Sequence, residues 1–328
     1  MLIIGPDWVD RSLTYEGLVE TLRGAFRDGA VQPVRHHHNI ERANGADATL
    51  LLMPAWTDMA GSGDQNEDGA FIGIKIVTVS PDNNTVGKPA VMGNYLLLDG
   101  PTGEPLALID GQKLTVWRTA CASALGASYL ARENAKTLLI AGAGALSTHL
   151  AKAHSAVRPI ERVLVWNRTS ANAQKTVDAL KAEGIAAELR EDLDNAQQEA
   201  DIISCATLST VPLVKGALLK PGTHVDLVGA FSPTMRESDD EAIRRSRVFV
   251  DTRAGATKEA GDIVQALQSG ALKEQDICAD LFDLARGTAS GRESAEDITL
   301  FKSVGAALED LAAGIAVYKA QVSEQTDS

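Results

Sequence analysis

The chain has 328 residues and a formal net charge of −13, from 31 basic against 44 acidic residues. That balance argues against nucleic acid or an anionic membrane surface as a partner, because neither attracts an acidic protein. With 45% apolar and 23% charged residues, the chain is ordinary globular material, long enough for one large domain or two. Its three cysteines, Cys121, Cys205 and Cys278, lack the close spacing of a zinc or redox motif and read as reduced thiols of a cytoplasmic protein. Met1 to Asp10 carries acids and is not read as a leader, and no apolar run approaches the roughly eighteen residues of a membrane span.

The first third predicts an initial helix and then strands. Ser12 to Phe26 repeats Leu13, Leu18, Leu22 and Phe26 at helical spacing. Three β-like runs follow, Thr49 to Met53, Phe71 to Val79 and Val91 to Leu98. The turn-rich pieces Asp58 to Gly69 and Pro81 to Pro89 separate them, so a mostly antiparallel sheet is expected. Leu114 to Leu130 reads as an alanine-rich helix. From Lys136 the texture alternates strand and helix. The apolar runs are 137–141, 162–166, 201–205, 224–228 and 247–250, with helices such as Ser170 to Glu183 and Glu237 to Arg245 between them. Short continuous apolar strands alternating with helices predict a parallel sheet covered on both faces. A last helix, about Val304 to Tyr318, returns to the first domain, and a polar tail from Gln321 is expected to fray. The domains are therefore placed at 1–116 plus 304–328 and at 117–303.

Gly142-Ala143-Gly144-Ala145-Leu146-Ser147 follows the first strand of the alternating region and opens a helix. The first glycine permits a tight turn, the second lets backbone approach a pyrophosphate, and the helix N-terminus receives its charge. The third glycine position of such loops is Ser147 here. The second strand ends at Trp166-Asn167-Arg168-Thr169, with no acid to hold ribose hydroxyls. An amide, a guanidinium and a hydroxyl suit a 2′-phosphate, so NADPH is expected, with NADH as the weaker alternative. Cys205-Ala206-Thr207 ends the strand at 201–205, on the carboxyl edge where cofactors lie. Lys75 sits inside the apolar strand Phe71 to Val77, where a lone ammonium needs a reason. Binding a carboxylate or relaying a proton would supply one. His36-His37-His38 looks like a metal tract, but neighbours on a strand face opposite ways and no further ligand cluster is apparent, so no metal is expected.

Taken together, Leu52-Met53-Pro54, Gly73-Ile74-Lys75, Leu108 to Gly111, Arg118-Thr119-Ala120, the Gly142 loop, Trp166 to Thr169, Lys258 to Asp262 and Phe301 to Gly305 resemble the ornithine cyclodeaminase/μ-crystallin family. The resemblance implies a Rossmann domain inserted into a dimerising domain, with substrate between them and a homodimer as the assembly. It implies that Arg118, helped by Arg35 and Lys75, holds a substrate carboxylate. Met53 and Phe231 would line the substrate, and Arg118, Thr119, Val228 and Gly229 would join the cofactor contacts. Asp310 also matches a family position. The family includes cyclodeaminases, ketimine reductases and alanine dehydrogenases. Cyclodeaminases carry a Glu at the position of Leu51 and a catalytic Asp at that of Phe231. Neither side chain here can pair with an ammonium or take a proton. The expected activity is therefore NADPH-dependent reduction of a cyclic ketimine carboxylate. The first choice is 1-pyrroline-2-carboxylate to proline, and its neighbour is 1-piperideine-2-carboxylate to pipecolate. The alternatives are an amino-acid dehydrogenase, a cyclodeaminase with an unusual acid, and a ligand-binding protein without catalysis.

Overall fold

The computed structural model describes residues 1–59 and 69–326. Most of the turn-rich piece expected at 58–69, and the last two residues of the tail, lie outside the described residues. The chain divides into two compact units, Met1–Arg118 with Ala306–Ser328, and Thr119–Gly305.

In the first unit, strand β1 (Leu2–Ile4) leads into α1 (Pro6–Ser12) and α2 (Tyr15–Asp28). The helix expected from Ser12 starts at Tyr15, with the separate α1 before it, and the break has a local cause. Thr14 is extended and its hydroxyl accepts from Gly17 N, which starts α2 afresh. Leu18, Val19, Leu22 and Phe26 form the buried stripe of α2. Strands β2 (His36–Ile40), β3 (Ala48–Trp56), β4 (Phe71–Val79), β5 (Val91–Asp99) and β6 (Pro105–Asp110) follow, then α3 (Gly111–Leu130), of which the residues from Thr119 belong to the second unit. The sheet order is β1-β6-β5-β4-β3-β2. It is mixed, because β1 runs parallel to β6 while the other pairs are antiparallel. The three β-like runs of the sequence account for only β3 to β5. The short β1, the histidine-rich β2 and β6 had no alternation to show.

The second unit runs β7 (Thr137–Ala141), α4 (Ser147–Val157), β8 (Arg162–Trp166), α5 (Ser170–Ala182), β9 (Ala187–Leu189), α6 (Leu193–Glu199), β10 (Ile202–Cys205) and β11 (His224–Leu227). It continues through α7 (Asp240–Arg245), β12 (Arg247–Val250), α8 (Arg253–Glu259), α9 (Gly261–Ser269), β13 (Ile277–Asp280), α10 (Leu281–Arg286) and β14 (Thr299–Lys302). All pairs in its eight-stranded sheet are parallel, in the order β13-β12-β14-β11-β10-β7-β8-β9. β7 and β10 are neighbours, yet the chain leaves β7 in the other direction, toward β8. The loop after β7 therefore lies at the switch point where open α/β sheets take ligands. Helix α7 is shorter than the expected Glu237 to Arg245, because Asp239 caps it and Glu237 is withdrawn into the interior.

The final helix α11 (Ala307–Thr326) rejoins the first unit and packs on β3, β4, β5, α1 and α2. It runs through much of the segment expected to fray, because its first turns are wholly buried from Ala307 to Gly314. Strand register puts Met53, Lys75 and Tyr95 side by side across β3, β4 and β5. These three are buried, on the face that α11 covers. The opposite face carries Leu52, Ile74, Ile76, Met92, Leu96 and Leu98, none of them fully buried.

Candidate functional site

The first unit holds a buried cluster of four charges. Lys75 Nζ lies 3.1 Å from Asp310 Oδ1 and 3.5 Å from Oδ2. Arg118 Nε donates to Asp310 Oδ1 at 3.1 Å, and Nη1 donates to Glu309 Oε2 at 2.8 Å. Asp310 thus bridges the two cations. Glu309 Oε1 also accepts from Ala306 N at 3.2 Å, so the same carboxylate caps the start of α11. Both acids are fully buried, and Lys75 and Arg118 keep only 4% and 6% exposure. Arg118 Nη2 makes no hydrogen bond with the described residues and has donors to spare.

Burial dominates the Lys75 ammonium and lowers its pKa to about 8. Asp310 pulls it upward, and Arg118 and Arg35 push it down. Arg35, half-buried before β2, is therefore close enough to be felt electrostatically. Burial works against the Arg118 guanidinium too, but Asp310 and Glu309 outweigh it and hold Arg118 above its usual range. Tyr95 is wholly buried beside this row. Burial, then the charge of Asp310, raises its pKa, and its hydroxyl has no hydrogen-bond partner among the described residues. The ring occupies a slot made by two glycines: a methyl at Gly73 would overlap the Tyr95 hydroxyl, and one at Gly314 would meet the ring at 2.6 Å. Leu51 lies on the same face as Met53, opposite Val77. A separate cavity of about 740 Å³ between α2 and α11, lined by Ala25, Phe71, Leu311 and Ile315, includes none of the residues singled out above.

In the second unit Gly142 adopts φ 111°, and a methyl there would stand 2.6 Å from Ala206 O. Only glycine fits. At Gly144 a methyl would project into open space, as backbone meant to face a ligand should. Ser147, in the third glycine's place, closes the loop by donating to Gly144 O at 2.8 Å, and its hydroxyl pairs with Thr176 of α5 at 3.1 Å. Asn167 is committed to the loop as well. Its Oδ1 accepts from Ala143 N at 3.2 Å and its Nδ2 donates to Thr169 O at 3.0 Å. Arg168 and Thr169 are exposed, and the Arg168 guanidinium makes no hydrogen bond or ion pair with the described residues. A glycine turn, an open second glycine and the first amides of the eleven-residue α4 form a cradle that fits a pyrophosphate.

The carboxyl edge of this sheet hides a second charged cluster that sequence reasoning did not find. Cys205 is fully buried, and burial foremost raises its thiol pKa, so the thiol is a packing group. Thr207 donates from N and Oγ1 to Glu237 Oε1 at 2.6 and 2.8 Å. Asp262 Oδ1 accepts from Glu237 N, Ser238 N and Ser238 Oγ at 2.9, 2.8 and 2.9 Å. Lys302 Nζ lies 3.8 Å from Asp262 Oδ2 and donates to the carbonyls of Leu227, at 3.2 Å, and Gly229. Burial, against the pull of Lys302 and with the push of Asp262, raises the Glu237 pKa to about 7. A methyl at Gly229 would overlap Thr207 O and the Glu237 carboxylate, so Gly229 serves close packing. Val228 is buried, Ala230 takes a left-handed φ of 49°, and Phe231 is 49% exposed at the end of the crossing. Lys302 had the same signal as Lys75, a lysine inside an apolar strand.

The structure thus joins Lys75, Arg118 and Met53 in one unit, and the Gly142–Leu146 loop, Asn167, Ala206 and Thr207 in the other. Thr119 follows Arg118 on α3, half-buried. His36 and His38 share one side of β2, at 6.4 Å between rings, and His37 points the other way. Among the described residues no group of three or more His, Cys, Asp or Glu side chains could hold a metal ion, and no helix is long and apolar enough to cross a membrane.

Residues 9–325 match the model of the ornithine cyclodeaminase/mu-crystallin family. The chain belongs to this family. Protein SAR DEFICIENT 4 of Arabidopsis thaliana is 42% identical over 316 residues, covering 93% of this chain and 94% of that one. Delta(1)-pyrroline-2-carboxylate reductase of Paracoccus denitrificans is 40% identical over 312 residues, covering 92% and 94%. The solved structure of Thermococcus litoralis Delta(1)-pyrroline-2-carboxylate reductase, in complex with NADH and L-proline, has a TM-score of 0.91 at 33% identity. The match covers 99% of this chain and 98% of that one.

Proposed function

We propose that the protein is an NAD(P)H-dependent reductase of cyclic ketimine carboxylates, with 1-pyrroline-2-carboxylate, giving proline, as its first substrate and 1-piperideine-2-carboxylate, giving pipecolate, as its second. The observation that carries this reading is the Lys75–Asp310–Arg118 cluster. It offers cationic donors beside Met53 and Leu51, while its two carboxylates are already committed to Arg118 and Lys75. A ligand with one carboxylate and an otherwise hydrocarbon ring fits such a face. The two ammonium groups of ornithine would find no unpaired acid there, and this disfavours the cyclodeaminase alternative. The Paracoccus relative's name and the proline in the Thermococcus structure support the same choice.

The cofactor, when bound, supplies a hydride to C2 of the ring. Arg118 presents its unused Nη2, and Lys75 and Arg35 add positive charge, to hold and orient the carboxylate. Lys75, with a pKa of about 8, holds a transferable proton at Nζ near neutral pH. The Gly142 loop and the start of α4 take the pyrophosphate. We assign the exposed Arg168 and Thr169 to a 2′-phosphate, which favours NADPH over NADH. Asn167 contributes by bracing the loop. The apolar outer face of the first unit's sheet, with Ile74, Ile76 and Leu96, is assigned to a second copy of the chain, giving a homodimer.

Cofactor oxidation with cyclic imine carboxylates, with keto acids plus amines, and with ornithine plus oxidised cofactor tests the reading. Rapid oxidation only with the cyclic imines is expected. Ammonia release from an amino acid as the faster reaction would overturn it, and binding without turnover would return the protein to a ligand-binding role. Sedimentation of Ile74→Lys as a monomer is the expected result for the dimer face.

A further inference from the structure

Two chain crossings at the carboxyl edge of the second unit, Cys205–Ser209 and Val228–Phe231, are fastened to one buried ionic cluster. Glu237 accepts both the amide and the hydroxyl of Thr207 on a single oxygen, at 2.6 and 2.8 Å. Its own backbone is held by Asp262 at 2.9 Å, and Lys302 holds the carbonyls of Leu227 and Gly229 from below. Gly229 has no room for a side chain against Thr207 and Glu237. The second oxygens of Glu237 and Asp262 are buried with no hydrogen-bond partner among the described residues. Carboxylate oxygens so placed cost stability, and their retention calls for a reason. The segment Glu237 holds is the accessible one: Ala206 and Thr207 are half-buried, and Leu208 is 70% exposed.

We infer that Glu237 is a positioning residue for the dinucleotide: through Thr207 it fixes the Ala206–Leu208 crossing against the cofactor, with Asp262 and Lys302 holding Glu237 in place. The inference rests on the reading of the second unit as the cofactor's seat. The Thr207 hydroxyl is engaged within the protein, donating to Glu237 at 2.8 Å and accepting from Ser209 N at 3.2 Å. The charged groups around Glu237 are Lys302 from β14 and Asp262 from α9, and Cys205 from β10 lies beside it. An ionised Glu237 accepts the two Thr207 bonds more strongly than a protonated one. Cofactor affinity therefore rises with pH as Glu237 loses its proton near 7.

The test measures NADH binding by fluorescence, because NADH itself carries no group titrating near neutrality, together with amide hydrogen exchange. Glu237→Ala is expected to weaken NADH about tenfold, to expose the Thr207 amide to exchange, and to leave kcat at saturating cofactor within about twofold. Glu237→Gln keeps an acceptor oxygen, so it is expected to restore protection at Thr207 and to bind NADH with an affinity that no longer changes through pH 7. Wild-type affinity and unchanged Thr207 protection in Glu237→Ala would overturn the inference. Should that variant not fold, a Glu237→Gln protein with the wild-type pH dependence would overturn it equally. Failure of the wild-type protein to bind either dinucleotide would instead remove the reading beneath it.

Discussion

Replacing Asp310 by asparagine removes the one charge that both Lys75 and Arg118 touch, without changing the shape of the cluster. Lys75 already sits at about 8 against an ordinary value of 10.5, a gap equivalent to about 3 kcal/mol spent on holding it charged in the interior. Asp310 is the main group opposing that fall. In Asp310→Asn the lysine therefore becomes neutral at a pH below 8. The loss of one partner from a buried pair also costs about 3–5 kcal/mol of folding stability. The sign follows from protonation: charged Lys75 strengthens carboxylate binding alongside Arg118, so affinity is full below its pKa and falls as pH rises through it. Above the pKa each further pH unit costs at most about tenfold, or about 1.4 kcal/mol, until Arg118 and Arg35 alone hold the carboxylate. Binding of pyrrole-2-carboxylate, whose ring nitrogen and carboxylate keep their charge through this range, reads the effect without catalysis. Wild-type affinity is expected to fall above pH 8, and Asp310→Asn affinity to begin falling at lower pH. A folded Asp310→Asn protein with the wild-type profile would refute the argument that this cluster sets the charge of Lys75.

Three further changes follow from the geometry. Gly142→Ala forces a side chain into φ 111° and against Ala206 O. It is expected to cost about 1–3 kcal/mol in thermal unfolding and most of the cofactor affinity. Arg168→Ala is expected to weaken NADPH about tenfold while NADH changes less than about twofold, as measured by cofactor titration. Gly73→Ala pushes on the Tyr95 hydroxyl in a packed interior, and calorimetry is expected to show a loss of about 1–3 kcal/mol.

The parts of the molecule legible in sequence were those with a local signature. The strand–GxG–helix passage located the Gly142 loop because turn, cradle and helix start are contiguous. Lys75 stood out because nothing apolar explains an ammonium. Its partner did not, because Asp310 is 235 positions away and is carried in by α11. Asn167 looked like a phosphate ligand because an amide suits one. Its actual partner, Ala143 N, belongs to another loop that only the parallel pairing of β7 and β8 brings near. Glu237, Asp262 and Lys302 lie on three separate elements, and no spacing rule connects them. The expectation of a mostly antiparallel first sheet missed the parallel β1. A three-residue strand has too few positions to display a period, and its pairing with β6 is fixed by a contact about a hundred residues distant.

Tyr95 and its two glycines carry a consequence for descent. The ring fills the space that Gly73 and Gly314 leave, on two elements more than two hundred residues apart in sequence. A larger residue at either glycine collides with the ring, and a smaller residue at position 95 leaves a void beneath α11. Few single substitutions beyond Tyr95→Phe, which keeps the ring, leave this packing intact, so an aromatic ring at position 95 and the two glycines are expected to be inherited together. Sequences that have lost the ring should have refilled both glycines. Where that exchange has occurred, the neighbouring Lys75–Asp310 contact is the place to look for a changed substrate.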